Sequence, residues 1–140
     1  MIAAANQLAD TLTWIRLGLH VTAAAVWVGG QLVMAGLVPA ARRVSPEAPR
    51  ALAAAFGRIS WPAYWLLVVT GLWNWAAVTG QSTSTTWEVI FVVKIVAVVG
   101  AGFFAWRHTH AKSAAARGAF AGTAALASLL ALALGVGLGG

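Results

Sequence analysis

The sequence predicts an all-α integral membrane protein, a four-helix transmembrane bundle with both termini on the outer side. Three observations carry this. Of 140 residues, 61% are hydrophobic and only 9% charged, with a mean hydropathy of +0.83, whereas soluble domains carry about 25% charged residues. The apolar residues fall into four long runs, each near the roughly 20 residues that a helix needs to cross a bilayer core. The basic residues collect in alternate loops. The length is that of one domain, residues 1–140.

The first span runs roughly from Thr13 to Val38 and is closed by Pro39, the second from Ala51 to Val78, the third from Trp87 to Trp106 and the fourth from Ala115 to Leu138. None alternates with the period of a strand, and all are too long for one. In lipid the backbone must satisfy its own hydrogen bonds, so helices are the spans to expect. The opening "MIAAANQLAD" lacks the basic region of a secretory signal, so the first hydrophobic segment reads as retained.

The loops set the direction. The first, "ARRVSPEAPR", holds Arg42, Arg43 and Arg50, with Arg58 just beyond; the third is flanked by Arg107, Lys112 and Arg117. The second, "TGQSTSTT", has no charge. The positive-inside rule puts the basic loops in the cytoplasm. The formal charge of +6 is spread over loops and helix ends, which suits cytoplasmic anchors and argues against a nucleic-acid partner. The expected partner is the lipid bilayer of the cell membrane, crossed several times, with a homo-oligomer or a larger membrane complex as further partners. Trp61, Trp65, Trp73, Trp75, Trp87 and Trp106 lie near span ends and read as interfacial anchors. Trp27, near the middle of its span, does not. In the fourth span Gly118 and Gly122 are four apart, as are Gly135 and Gly139, a spacing that lets helices approach closely. Packing inside the bundle is the favoured reading, a dimer face the other.

Polar groups inside the spans are the candidates for chemistry. His20, Trp27, Gln31 and Met34 are spaced seven, four and three, which is one stripe of a regular helix. Ala23, Ala24 and Gly30 flank the stripe and leave room for a bulky group or a neighbouring helix. Lys94 lies in the third span at a depth like that of His20, and Arg16, Glu88, Thr70 and Asn74 approach the same outer layer. A lysine within a span costs about 2.5–3.5 kcal/mol at its centre and is a functional hypothesis by default. The plainer readings are that Lys94 snorkels to the interface beside Glu88 or a lipid phosphate, and that His20 makes an interhelical hydrogen bond to Asn74 or Thr70. Ligation of a metal or cofactor is the commonest other role for a neutral imidazole. His108 and His110, at the opposite end, are two apart and share no helix face, so they read as a solvated basic helix end. The absence of cysteine excludes disulfides and thiolate metal sites. There is no phosphate-binding loop, no HExxH and no serine–histidine–aspartate set.

The stretch "LHVTAAAVWVGGQLVMAGLVPAARR" resembles the first core helix of the CopD-like copper resistance domain, with its His, Trp and Gly-Gly. "FGRISWPAYWLLVVTGLWNWAAVTGQSTSTTWEVIFVVKIVAVVGAGFFAWRH" resembles the remainder, with an Arg, a "TG" followed by a Trp/Asn cluster, a Ser/Thr-rich loop and a Lys in the next helix. The same pattern is similar to the HemJ-type protoporphyrinogen oxidases, a group associated with haem b. The resemblance covers about two thirds of the chain and reaches His20, Trp27, Gly29, Gly30, Gly71, Asn74 and Lys94. Full CopD proteins have more spans and a periplasmic copper-binding partner domain.

The resemblance implies a metal or haem b at an outer-leaflet site, with His20 as the ligand. Trp27, Gly30 and Asn74 would belong to that site, and Lys94 and Arg16 would neutralise propionates or carry a proton. The function it implies is copper handling or redox chemistry. A HemJ-like oxidoreductase and an accessory subunit of a larger membrane complex are the alternatives, and the residues themselves leave enzymatic activity open.

Overall fold

The computed structural model describes residues 8–139, so the segment read as lacking a signal lies mostly outside the described residues. Asp10 opens the first helix by accepting a hydrogen bond from the Thr13 backbone at 3.0 Å and from its hydroxyl at 2.8 Å, satisfying a donor that the helix start leaves free. Beyond it the chain forms four long helices: α1 Thr11–Val44, α2 Ala48–Val78, α3 Thr85–Thr109 and α4 Ala114–Gly139. Each is long and apolar enough to cross a membrane, and the described residues contain no strand.

The expected spans are found, with longer ends. Pro39 does not close α1, which continues to Val44. A helical proline forfeits one backbone bond, and Ala40 to Val44 carry the last turn to Ser45, whose N–H donates to the Ala41 carbonyl at 3.2 Å. Ser45, Ser84 and Ser113 each accept from the backbone N–H three residues on and start α2, α3 and α4. Gly80, at φ +96°, ends α2 in a left-handed conformation that suits glycine. At 34 residues, α1 is about 50 Å long. It exceeds the roughly 30 Å of hydrocarbon and carries Arg42 and Arg43 in its last turn.

The helices form two antiparallel hairpins, α1 with α2 and α3 with α4, and the closest backbone packing is between α3 and α4. Small residues make this possible. Ala97, Ala101 and Gly102 on α3 and Ala124, Ser128 and Ala131 on α4 are all buried. Ala97 and Ala101 on one helix, and Ala124, Ser128 and Ala131 on the other, are spaced three or four apart and present small side chains on one face, while Gly102 faces Tyr64 of α2. Of the glycines expected in this role, Gly118 and Gly122 do not fill it: both are exposed, with nothing within 4 Å of an added side chain, whereas Gly135 faces Lys94 of α3. The surroundings of Gly139 lie outside the described residues.

One feature of α1 breaks the regular period. Ala25–Gly29 forms a π-helical turn, which inserts one residue into the helix and rotates the residues beyond it by about 100°. It lies where α1 approaches α4. Around it sits the core: Trp27, 4% exposed, with Val28 and Tyr64, each 7% exposed. Trp27 and Tyr64 have ring centroids 4.8 Å apart, and Trp61 lies 5.7 Å from both. The polar tips of Trp27 and Tyr64 cross to the other hairpin. Trp27 Nε1 donates to Ser128 Oγ on α4 at 3.0 Å, and the Tyr64 hydroxyl donates to the Val98 carbonyl on α3 at 3.1 Å. A side chain at Gly102 would collide with the Tyr64 hydroxyl, so the glycine leaves that carbonyl reachable. By contrast Trp65, Trp73, Trp75 and Trp106 are exposed on the outer faces.

Candidate functional site

Toward the end of the bundle that holds both termini, polar side chains form a layer between the helices. His20 stands seven residues before Trp27, about 10 Å further along α1. Its Nδ1 lies 2.8 Å from the Thr70 hydroxyl on α2. Thr70 is 1% exposed and donates to the Leu66 carbonyl at 2.6 Å, with the Leu67 carbonyl at 3.3 Å. Beside it, an added Cβ at Gly71 would stand 3.5 Å from His20 Cε1. The imidazole thus lies against α2 on one edge. One turn closer to the terminal end, the Arg16 guanidinium donates to Asn74 Oδ1 at 2.7 Å and to the Asn74 carbonyl at 3.4 Å. Of the two partners expected for His20, the structure gives it Thr70, and Asn74 goes to Arg16.

Lys94 projects from α3 toward α4. Its Nζ would stand 3.0 Å from a Cβ at Gly135, so the missing side chain there makes room for the ammonium. It is half-buried. The expected approach to Glu88 is not made. Glu88 accepts from the Thr83 hydroxyl at 2.9 Å, and Lys94 has turned along the α3–α4 seam instead. The three side-chain carboxylates of the sequence lie apart from these groups: Asp10 bonds Thr13, Glu88 bonds Thr83, and Glu47 stands at the start of α2 on the opposite, basic end. Two cations and an imidazole therefore share the layer without a carboxylate.

The predicted stripe from His20 to Met34 is divided by the π turn. His20 bonds α2, whereas Trp27 and Gln31 reach α4, Gln31 Nε2 donating to Ser128 Oγ at 3.1 Å and to the Trp27 carbonyl at 3.0 Å. Trp27 is a core residue with its indole N–H satisfied. Gly30 sits below the turn, where a side chain would run into the Phe56 ring of α2, so it permits close approach of α1 and α2. Of the six residues expected at the site, Arg16, His20, Asn74 and Lys94 belong to the polar layer; Trp27 and Gly30 belong to the packing beneath it. Ser128 and Gly102 play parts that sequence reasoning missed, and Gly135, expected as a packing glycine from its spacing to Gly139, makes room for Lys94. Ser128 was legible as a polar break in the apolar run of α4; Gly102 carried no signal of its own.

His108 and His110 lie at the basic end, as expected. His108 Nδ1 is 2.9 Å from the Arg117 carbonyl, and His110 Nδ1 is 2.9 Å from the Trp106 carbonyl, so both serve carbonyls near the α3–α4 turn. Among the described residues no three His, Cys, Asp or Glu side chains converge as a metal site. Two open hollows, of about 340 and 320 Å³, lie on α3 around Val89 and Val92 and on α1 around Leu17 and Gly18; neither includes His20.

These features define a multi-pass helical membrane protein with a cationic, histidine-bearing layer between its hairpins. The chain matches no protein-family model, no curated protein and no solved structure.

Proposed function

We propose that this is a CopD-like integral membrane protein that holds haem b in one leaflet, with His20 as the residue that would ligate its iron. Arg16 and Lys94 would neutralise the propionates; Asn74 fixes Arg16, and Gly135 makes room for Lys94. The observation that carries this reading is a single imidazole and two cations at one level of the bundle, with Arg16 bonded to Asn74, His20 to Thr70 and Glu88 to Thr83, so that no carboxylate bonds either cation among the described residues. A copper ion needs several donors and gains nothing from adjacent cations. An iron porphyrin needs one imidazole and brings its own negative charge. Bound there, haem supplies one-electron redox chemistry; the chain's own residues hold and orient it. The contact between the two hairpins is centred on the π turn, and on this reading a flat ligand would enter between them above it, on the His20 side. By the positive-inside rule the basic end faces the cytoplasm, both termini face outward and the site lies in the outer leaflet of the cell membrane.

The test is the visible spectrum of detergent-purified protein expressed with supplementary haem, with copper assayed on the same sample. Wild type shows a Soret band and His20→Ala loses it. Copper bound by wild type and lost with His20 would overturn the haem reading in favour of metal handling. A second reading, an accessory subunit, is favoured by the outward Gly118 and Gly122 on α4, a face open to close helix approach. A colourless, metal-free protein that purifies with a partner helix bundle decides for it.

A further inference from the structure

The hydrogen bonds around His20 determine which of its ring nitrogens carries the proton. A threonine hydroxyl has one hydrogen. Thr70 Oγ1 lies 2.6 Å from the Leu66 carbonyl and 3.3 Å from that of Leu67, and a carbonyl can only accept. The hydroxyl hydrogen is therefore committed to the backbone of its own helix. Toward His20, at 2.8 Å, Thr70 can then act only as an acceptor, so the hydrogen in that contact belongs to Nδ1. In a neutral imidazole one nitrogen donates and the other carries the lone pair. Nε2 is thus the free base, and it has no hydrogen-bond partner among the described residues.

The surroundings hold this arrangement. Thr70 is 1% exposed, so no water replaces its contact, and the Nδ1–Cε1 edge of the ring rests against Gly71. The alternative tautomer would set a lone pair on Nδ1 against an oxygen whose hydrogen points elsewhere. A ligating histidine needs such a partner on its other nitrogen, which sets tautomer and ring direction.

We infer that Thr70 is the positioning residue of the site: it locks His20 as the Nδ1–H tautomer against α2 and so presents the Nε2 lone pair to the space between the hairpins. The inference deepens the haem reading and rests on it for the identity of the ligand, but the tautomer itself is a property of the protein without ligand.

The experiment is nitrogen-15 NMR of histidine-labelled protein, purified without haem, at a pH where the ring is neutral, with the His20 signals assigned by their loss in His20→Ala. Wild type is expected to show only the Nδ1–H tautomer. Thr70→Val, which keeps the shape and removes the acceptor, gives a mixture or the Nε2–H form, and Thr70→Ser restores the wild-type pattern. On titration with haemin, Thr70→Val binds about tenfold more weakly, the low end of the loss seen when the hydrogen-bond partner of a ligand is removed, and Thr70→Ser binds as wild type does. An Nε2–H tautomer in wild type overturns the inference whether or not the valine variant folds, and so does an unchanged tautomer in Thr70→Val. A wild-type Nδ1–H tautomer that Thr70→Val abolishes, with no His20-dependent Soret band, upholds the role of Thr70 and removes haem as the ligand.

Discussion

Replacing Ser128 by alanine tests how the two hairpins are held in register. Ser128 is 3% exposed, and its hydroxyl accepts from Trp27 Nε1 at 3.0 Å and from Gln31 Nε2 at 3.1 Å. The substitution removes one oxygen and leaves Trp27, itself 4% exposed, with an indole N–H and no acceptor. An unsatisfied buried donor costs about 1–3 kcal/mol, while interhelical hydrogen bonds in membranes average about 0.6 and reach about 1.7 kcal/mol. Gln31 keeps its bond to the Trp27 carbonyl, so its loss is the smaller one. Together these place the destabilisation at about 1–2 kcal/mol. Reversible unfolding in mixed micelles, followed by near-ultraviolet circular dichroism, measures it. Trp27→Phe removes the donor instead, so the double variant should be less destabilised than the sum, by about 0.5–1.5 kcal/mol. A Ser128→Ala protein within about 0.3 kcal/mol of wild type, or an additive cycle, would refute the argument that this contact joins α1 to α4 at the π turn.

Gly30→Ala pushes a methyl group into the Phe56 ring. An overpacking cost of about 1–3 kcal/mol is expected in the same unfolding assay, relieved when Phe56 is changed to Leu. Asp10 accepts from the Thr13 backbone and hydroxyl, which hold its carboxyl below the ordinary value of 3.8. A depressed folded value means stability that is present above the ordinary one and lost as pH falls through the depressed one. Asp10→Ala should therefore reduce amide-exchange protection in the first turn of α1 at neutral pH and have no effect in strong acid. Equal effects at both would show that the carboxylate charge plays no part.

Hydropathy and loop charge were enough for the four helices, because partition into lipid is close to a sum over residues and a spanning backbone has no alternative to the helix. The depth of His20, Arg16, Lys94 and Asn74 came from the same count, at 1.5 Å per residue. Helix ends were less legible: Pro39 looked like a stop, and the turn beyond it holds because only one backbone bond is lost. Partners were less legible still. His20 with Thr70, Arg16 with Asn74 and Trp27 with Ser128 join positions 50, 58 and 101 apart, and no local pattern chooses among the polar groups at one depth. The π turn at Ala25–Gly29 rotates Trp27 and Gln31 away from the stripe they share with His20 in a regular helix. Gly135 receives Lys94, and Gly102 opens the Val98 carbonyl to Tyr64, while Gly118 and Gly122 face outward. Sequence alone determined that the chain forms four helices long and apolar enough to cross a membrane and at what level along them these residues lie. The tertiary structure decided which side chains meet, because helix phase and close approach depend on the whole set of neighbours.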